Sequence, residues 1–187
     1  MVINSWIGLI MHNMPDYNLV SKRYELCPSF PTGLAVKYSF NSRCKPGEQA
    51  GAYDLKTKRS IIQINKKNYK CARIVYYLAT GIDPGQYEVD HIDQDSSNNC
   101  TENLRLSTRS QNATNMKLKS NNTTGYKGVS WHKTRGLFRS TVTLNGKSKH
   151  LAHHICPARL AYGYNLFSKE YYKEFAVLNT LTNLSCV

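Results

Sequence analysis

One polar stretch near the middle of the chain decides the fold: residues 87–114, which read YEVDHIDQDSSNNCTENLRLSTRSQNAT. Residues 87–92 alternate apolar and polar side chains as a strand does, and residues 104–107 form a second short strand. A helix is predicted to begin near Arg109, after a Ser-Thr pair suited to capping it. The order strand, loop, strand, helix defines a small α+β unit at about residues 87–119.

Four side chains of this unit have the chemistry needed to hydrolyse a phosphodiester. That reaction needs a base to activate water and a cation to neutralise charge on the scissile phosphate and the leaving oxygen. Histidine titrates closest to neutral pH, and the oxygen atoms of Asp and Asn suit Mg²⁺ or Mn²⁺. The candidates are Asp90, His91, Asn103 and Asn112.

The spacing of these residues resembles that of HNH endonucleases of the phage and intron homing type, whose catalytic unit is the ββα-metal fold. The resemblance rests on YEVDHID at 87–93, ENLR at 102–105 and SQNATN at 110–115. It implies that His91 is the general base, that Asp90 and Asn112 hold the metal, and that Asn103 fixes the loop and the orientation of His91. Asn112 stands where many relatives have His, which leaves nicking and double-strand cleavage both open.

The segment before this unit is expected to form a small β-hairpin followed by a helix. Residues 61–64 and 69–71 have strand patterns around a turn-like NKKN, and residues 73–80 form a helix that ends at Gly81. This segment also resembles the one that precedes the catalytic unit in HNH enzymes, although Ala72 replaces the usual His.

The segment after it predicts a three-stranded meander with one helix packed across the sheet. The strands are expected at 128–131, 137–144 and 148–152, with Asn145-Gly146 as a hairpin turn. The helix opens at Pro157, and its predicted apolar stripe consists of Leu160, Tyr164, Phe167 and Tyr171. GYKGVSW at 125–131, LFR at 137–139 and FAVLN at 175–179 resemble the plant APETALA2 DNA-binding domain. The resemblance implies a sheet that lies in the major groove of DNA.

The distribution of charge favours a polyanionic partner. The chain has 25 Lys and Arg residues against 12 Asp and Glu, a formal net charge of +13. No acidic residue occurs between Asn103 and Lys169, a stretch that contains twelve basic residues. The residues expected to bind DNA are Arg105, Arg109, Lys117, Lys119, Lys127, Trp131, Lys133, Arg135, Arg139, Lys147 and Lys149.

Three domains are expected: residues 1–32, of unclear structure; residues 33–119, the nuclease domain; and residues 120–187, the DNA-binding domain. The six cysteines form no C-x-x-C pair and are interpreted as reduced thiols. Zinc binding by the histidines at 150–154 with Cys156 is disfavoured, since no ligand pair has zinc-finger spacing.

The sequence thus predicts an α+β protein with a ββα-metal unit, preceded by a hairpin and helix and followed by a sheet-and-helix domain. The expected function is metal-dependent cleavage of double-stranded DNA with Mg²⁺ or Mn²⁺, without a small-molecule substrate. A non-catalytic DNA-binding or regulatory protein with a degenerate nuclease unit is the alternative, and an RNA-binding module is a third. The apolar run at 6–11 is too short to span a bilayer. We expect an intracellular protein, in the host cytoplasm if phage-encoded, and monomer and homodimer both stay open.

Overall fold

The computed structural model describes residues 14–116, 118, 120–144 and 146–181. This part of the chain contains four α-helices and ten strands in four small sheets, which confirms the α+β class. The chain divides into two compact units, with the division between Leu106 and Ser107. The domain limits expected from the sequence, at 32/33 and 119/120, stay predictions about functional modules.

The first unit contains two short helices and three of the small sheets. Strands β1 and β2 pair with each other, β3, β4 and β5 form an antiparallel sheet, and β6 pairs with β7. The elements are α1 (Tyr17–Arg23), β1 (Tyr24–Leu26), β2 (Leu34–Val36), β3 (Ala52–Asp54), β4 (Arg59–Ile64), β5 (Lys67–Lys70), α2 (Cys71–Thr80), β6 (Glu88–His91) and β7 (Leu104–Ser107).

The predicted hairpin and helix are present in this unit, with a tighter turn than expected. Ile64 pairs with Lys67, so only Asn65 and Lys66 connect β4 to β5, both at positive φ. Such two-residue turns match the twist of the flanking strands. Helix α2 ends at Gly81, which has φ 72°, as the sequence predicted.

The core of the first unit fixes the strand that carries the candidate site. Val20, Leu34, Ile64 and Ile74 are at most 1% exposed, and Leu104 of β7 packs in the same cluster. Arg73 on α2 donates from its guanidinium to the carbonyls of Gly85 (2.9 Å) and Tyr87 (2.7 Å). Helix α2 therefore holds the chain at its entry into β6.

The second unit is a three-stranded sheet with a long helix, preceded by a short one. Its order β10-β9-β8 is the predicted meander. A 3-10 turn (Lys133–Arg135) connects β8 to β9, and a second (Lys173–Phe175) follows the long helix. The elements are α3 (Arg109–Thr114), β8 (Val129–His132), β9 (Leu137–Leu144), β10 (Lys147–His154) and α4 (Pro157–Tyr172). Leu144 pairs with Lys147, so the second hairpin loop also has two residues; its Asn145 lies outside the described residues.

The buried face of α4 differs from the predicted stripe at its last turn. Leu160 and Tyr164 are buried, as expected, and Leu160 packs in a cluster with Val129 of the sheet. Tyr171, however, is 50% exposed and Tyr172 is 6% exposed. The hydroxyl of Tyr172 donates to the carbonyl of Thr143 (2.8 Å), which fixes this tyrosine against the sheet. The prediction that Tyr171 belongs to the buried stripe of α4 was wrong. The buried positions continue in steps of four residues along the helix, which places Tyr172 on the buried face.

Candidate functional site

Three of the four predicted site residues lie together in the first unit. Asp90 and His91 are the last two residues of β6 and are 4% and 6% exposed. Asn103 ends a 3-10 turn immediately before β7. The backbone N–H of Ile92 donates to the carbonyl of Asn103 at 2.9 Å, which closes the loop between the two strands.

Asn103 organises this loop with its side chain. Its amide nitrogen donates to the Asp93 carboxylate (2.9 Å) and to the Asn98 carbonyl (2.8 Å), while its amide oxygen accepts from the Asp93 backbone N–H (3.0 Å). Asn98 also donates to Asp93, at 2.7 Å. Both polar atoms of Asn103 are therefore used to hold the loop in one conformation.

The imidazole of His91 is oriented by Asn99, a residue that the sequence analysis did not single out. Nε2 of His91 lies 3.1 Å from Oδ1 of Asn99, and Nδ2 of Asn99 donates to the carbonyl of Pro31 at 2.6 Å. Because Pro31 accepts from the amide nitrogen, the amide oxygen faces the ring, so Nε2 must carry the proton in the neutral imidazole. Nδ1 is then the ring nitrogen without the proton, as a general base requires.

The surroundings of His91 favour its neutral form. Burial lowers the pKa of His91 below its ordinary value of 6.5, and the positive charge of Arg59 acts in the same direction. The hydrogen bond to Asn99 and the charges of Asp93 and Asp90 oppose this shift without reversing it. At neutral pH the imidazole is therefore able to accept a proton.

The buried carboxylate of Asp90 forms an ion pair with Arg105 of β7. Nη2 and Nε of Arg105 lie 3.0 and 3.1 Å from the same oxygen, Oδ2. A buried carboxylate needs such a partner, because an uncompensated charge in the interior is costly. Arg105 was expected on DNA; in the structure its guanidinium is bound to Asp90.

The fourth predicted residue, Asn112, lies on α3 in the second unit. Helix α3 begins at a capping box: Thr108 accepts from the backbone N–H of Gln111 (3.2 Å), and the Gln111 side chain accepts from the backbone N–H of Thr108 (2.8 Å). This is the cap predicted from the sequence. It fixes where α3 starts and thereby places Asn112 in its first turns.

The residues of the second unit that were expected to bind DNA lie on several different elements. Arg109 begins α3, and Lys133 and Arg135 lie exposed in the 3-10 turn between β8 and β9. Lys147 and Lys149 are exposed on β10, and Trp131 is 49% exposed beside Phe138. Lys117 and Lys119 lie outside the described residues.

Lys127, which was expected to bind DNA, has its ammonium group bonded to the protein backbone. Its ammonium group donates to the backbone carbonyls of Thr114 and Met116, the latter at 2.8 Å. Burial lowers the pKa of Lys127 to about 8. The group still carries its charge at neutral pH, and that charge is directed at the end of α3.

The sheet face opposite α4, called here the open face, carries His150 and His153. Directly opposed residues share a face, and Arg139 pairs with both Ser130 and His153, while His150 pairs with Thr141. A β-bulge between His150 and Ala152 brings both histidines to this face, with ring centroids 4.2 Å apart. The sequence did not predict this bulge, because one inserted residue cannot be recognised in the alternating side-chain pattern of a strand.

No group of three or more His, Cys, Asp or Glu side chains able to hold a metal ion occurs among the described residues. The five described cysteines are free thiols, in line with the reduced state expected from the sequence. None of the helices in the described ranges is long and apolar enough to cross a membrane.

Residues 69–114 match the family model of the HNH endonucleases. Over 85 residues the chain is 44% identical to "Protein 3.8" of Escherichia phage T7, an alignment that covers 44% of this chain and 70% of the phage protein. Over 110 residues it is 34% identical to an uncharacterized HNH endonuclease of Acanthamoeba polyphaga mimivirus, covering 58% of this chain and 56% of that protein. No solved structure matches the chain.

Proposed function

The chain belongs to the family of the phage T7 Protein 3.8 and carries an HNH endonuclease domain at residues 69–114, and from this premise we propose that it is a metal-dependent, homing-type DNA endonuclease. Its substrate is double-stranded DNA, and the bond it hydrolyses is the phosphodiester. The observation that carries the proposal is the buried His91 at the end of β6, whose Nε2 lies 3.1 Å from Oδ1 of Asn99.

The chemistry assigned to the chain is a general-base hydrolysis. The imidazole of His91 removes a proton from a water molecule, whose oxygen forms a bond to phosphorus while the bond from phosphorus to the leaving oxygen breaks. The Asn99 amide keeps the ring in the required tautomer, and it stabilises the protonated ring once the proton has been transferred. Asn103 holds the loop that carries Asn99.

The donor set fits a hydrated cation of the Mg²⁺ type. Such a cation usually keeps several waters and uses one or two protein carboxylates together with substrate phosphate, so it needs no three-ligand protein cluster. Asp90 already compensates a positive charge, the guanidinium of Arg105. In the first unit Asp90 is the residue that would hold the ion, and the part of Asn112 stays what the family resemblance implies. The ion would supply charge neutralisation at the scissile phosphate and the leaving oxygen.

The second unit is proposed to dock the enzyme on duplex DNA. Its support is the charge pattern, since the open face and the adjoining turn carry Arg135 and Arg139 without any acidic residue on the three strands. Phosphate contacts of this kind supply most of the non-specific affinity of DNA-binding proteins. In this proposal the HNH domain cleaves the DNA, and the sheet of the second unit binds the duplex.

The test is incubation of supercoiled plasmid and phage genomic DNA with the protein in Mg²⁺, in Mn²⁺ and in EDTA. We expect cleavage in the two metal arms and none in EDTA. Asp90→Asn should abolish cleavage, while Gln86→Ala, an exposed residue just before β6, serves as the matched control and should cleave normally. DNA binding without cleavage by the wild-type protein in every arm would favour the non-catalytic alternative and overturn the proposal.

A further inference from the structure

Three histidines from the two outer strands of the second unit's sheet meet on its open face. Strand β9 lies between β8 and β10, and Arg139 of β9 pairs with Ser130 on one side and His153 on the other. His132 follows Ser130 by two residues on β8 and therefore shares its face. The rings of His132 and His153 pack edge to face with centroids 5.3 Å apart, and the ring of His150 lies 4.2 Å from that of His153. These three side chains are called here the histidine cluster.

The surroundings of the histidine cluster are basic. Nε of Arg139 donates to the hydroxyl of Ser130 at 3.2 Å, which keeps the guanidinium among the side chains of the open face. Arg135 lies exposed in the turn that connects β8 to β9. The charged or titratable groups around His153 are thus Arg139, Arg135, His132 and His150. Neither the three strands nor this turn contains Asp or Glu, so no acidic side chain of the sheet compensates a charge on the cluster.

Protonation of the cluster is disfavoured in the free protein. Burial lowers the pKa of His153 below its ordinary value of 6.5, and the positive charges of its neighbours act in the same direction. Nδ1 of His132 and Nε2 of His153 are buried atoms without a hydrogen-bond partner among the described residues. Because a protonated imidazole donates from both nitrogens, acceptors for the charged rings have to come from outside the sheet.

We propose that the histidine cluster and Arg139 form a binding site for the phosphates of duplex DNA, which holds them more tightly as the histidines become protonated. The inference rests on the proposed docking of the second unit on DNA. It adds a pH dependence, because histidine changes its charge near neutral pH, whereas arginine and lysine stay charged. Phosphate oxygens accept the N–H groups of the protonated rings, and their negative charge offsets the repulsion between neighbouring imidazolium groups.

The test measures binding of labelled duplex DNA to the full chain by fluorescence anisotropy, in EDTA so that no cleavage occurs. The wild type, the double variant His150→Asn/His153→Asn and the matched control His154→Asn are compared at about pH 8 and about pH 6 over a range of salt concentrations. His154 follows His153 on β10 but pairs with Phe138, and its Nδ1 accepts from the backbone N–H of Cys156 at 2.9 Å, a role that the Asn side-chain oxygen can take over. Melting temperatures at both pH values establish that each variant is folded.

We expect the wild type to bind DNA about tenfold more tightly at the lower pH, the contribution of one hydrogen bond to a charged group. Its slope of log K against log salt should also become steeper, by about 0.9 for each additional phosphate neutralised. The control His154→Asn should keep this pH dependence, and the double variant should lose most of it. In an NMR titration, a short DNA duplex should raise the pH at which the rings of the cluster are protonated.

The outcomes separate this site from the proposed function. Equal pH dependence of DNA binding in the wild type and the double variant would overturn the inference, and so would cluster resonances whose titration DNA leaves unchanged. No DNA binding at either pH would overturn the proposed docking role as well. Binding that depends on pH through the cluster, in a chain that cuts no DNA, would instead overturn the proposed nuclease activity and leave this site standing.

Discussion

At the scale of single residues, the account depends on how His91 is held. The sequence placed a histidine at the end of a strand and, through the family resemblance, assigned its orientation to Asn103. The structure shows Asn103 bonded to the loop backbone and Asn99 bonded to the ring. Asn98 and Asn99 are adjacent amides in a polar loop, and only the three-dimensional contact with Pro31, 68 residues away in sequence, distinguishes them.

Replacing Asn99 by Ala tests this orienting role. The variant removes the acceptor of Nε2–H, so both neutral tautomers of His91 become populated, and we expect the cleavage rate to fall by about tenfold to 100-fold, as for partners that orient a functional histidine. Nitrogen chemical shifts of the ring report the tautomer directly. A lowered rate with an unchanged tautomer would mean that Asn99 acts only on loop stability.

The pH dependence of cleavage follows from the environment of the same histidine. Burial lowers its pKa below 6.5, so the imidazole is neutral at pH 7 and becomes protonated only as the pH falls through that lowered value. The rate at saturating DNA should therefore be flat around neutrality and decline with a midpoint below 6.5. A midpoint above 6.5 in the single-turnover rate would contradict the assignment of His91 as a buried, neutral base.

At the scale of elements, regular patterns were predictable and irregular ones were not. Strand β7, strand β9 and the cap of α3 follow from alternation and capping residues, and the structure has them at the predicted positions. The last turn of α4 and the bulge in β10 depend on packing and on one inserted residue. The sequence did not predict that His150 and His153 share one face, because that depends on the bulge.

Packing between β8 and α4 leads to a prediction about stability. Gly128 has φ 76°, and a Cβ there would overlap the ring of Tyr164, whereas Gly136 has φ 60° with open space around it. We expect Gly128→Ala to lower the free energy of unfolding by about 2–4 kcal/mol, from backbone strain and overpacking together. Gly136→Ala should lower it by about 1 kcal/mol, from backbone strain alone. Urea unfolding followed by tryptophan fluorescence measures both, and equal losses would contradict the packing of Tyr164 against Gly128.

At the scale of the whole molecule, net charge predicts a polyanionic partner. The structure distinguishes the basic side chains that bind partners within the protein from those that are exposed. Arg105 and Lys127 serve internal partners, a carboxylate and two backbone carbonyls, which no count of charges reveals. Arg135 is exposed beside the open face. Sequence alone treats these three residues alike, because side-chain partners depend on the fold.

The salt dependence of DNA binding tests this distinction between internally bound and exposed basic side chains. A variant that no longer binds one of the DNA phosphates should show a slope of log K against log salt that is smaller by about 0.9. We expect Arg135→Gln to reduce the slope by about one and Lys127→Gln to leave it unchanged, because the Lys127 ammonium is committed to carbonyls. Fluorescence anisotropy with labelled duplex DNA between low and physiological salt gives the slopes. A smaller slope in Lys127→Gln than in Arg135→Gln would contradict the expectation that Arg135, and not Lys127, binds DNA phosphate.

The central claim is that His91 is the general base of a DNA endonuclease. The most direct measurement is the single-turnover cleavage rate of the wild type and of His91→Ala in Mg²⁺, at protein concentrations that give equal occupancy of the same DNA. The account predicts normal DNA binding and a rate reduced by about 10²–10⁴-fold, the usual contribution of a general base. Cleavage by His91→Ala at the wild-type rate would contradict it.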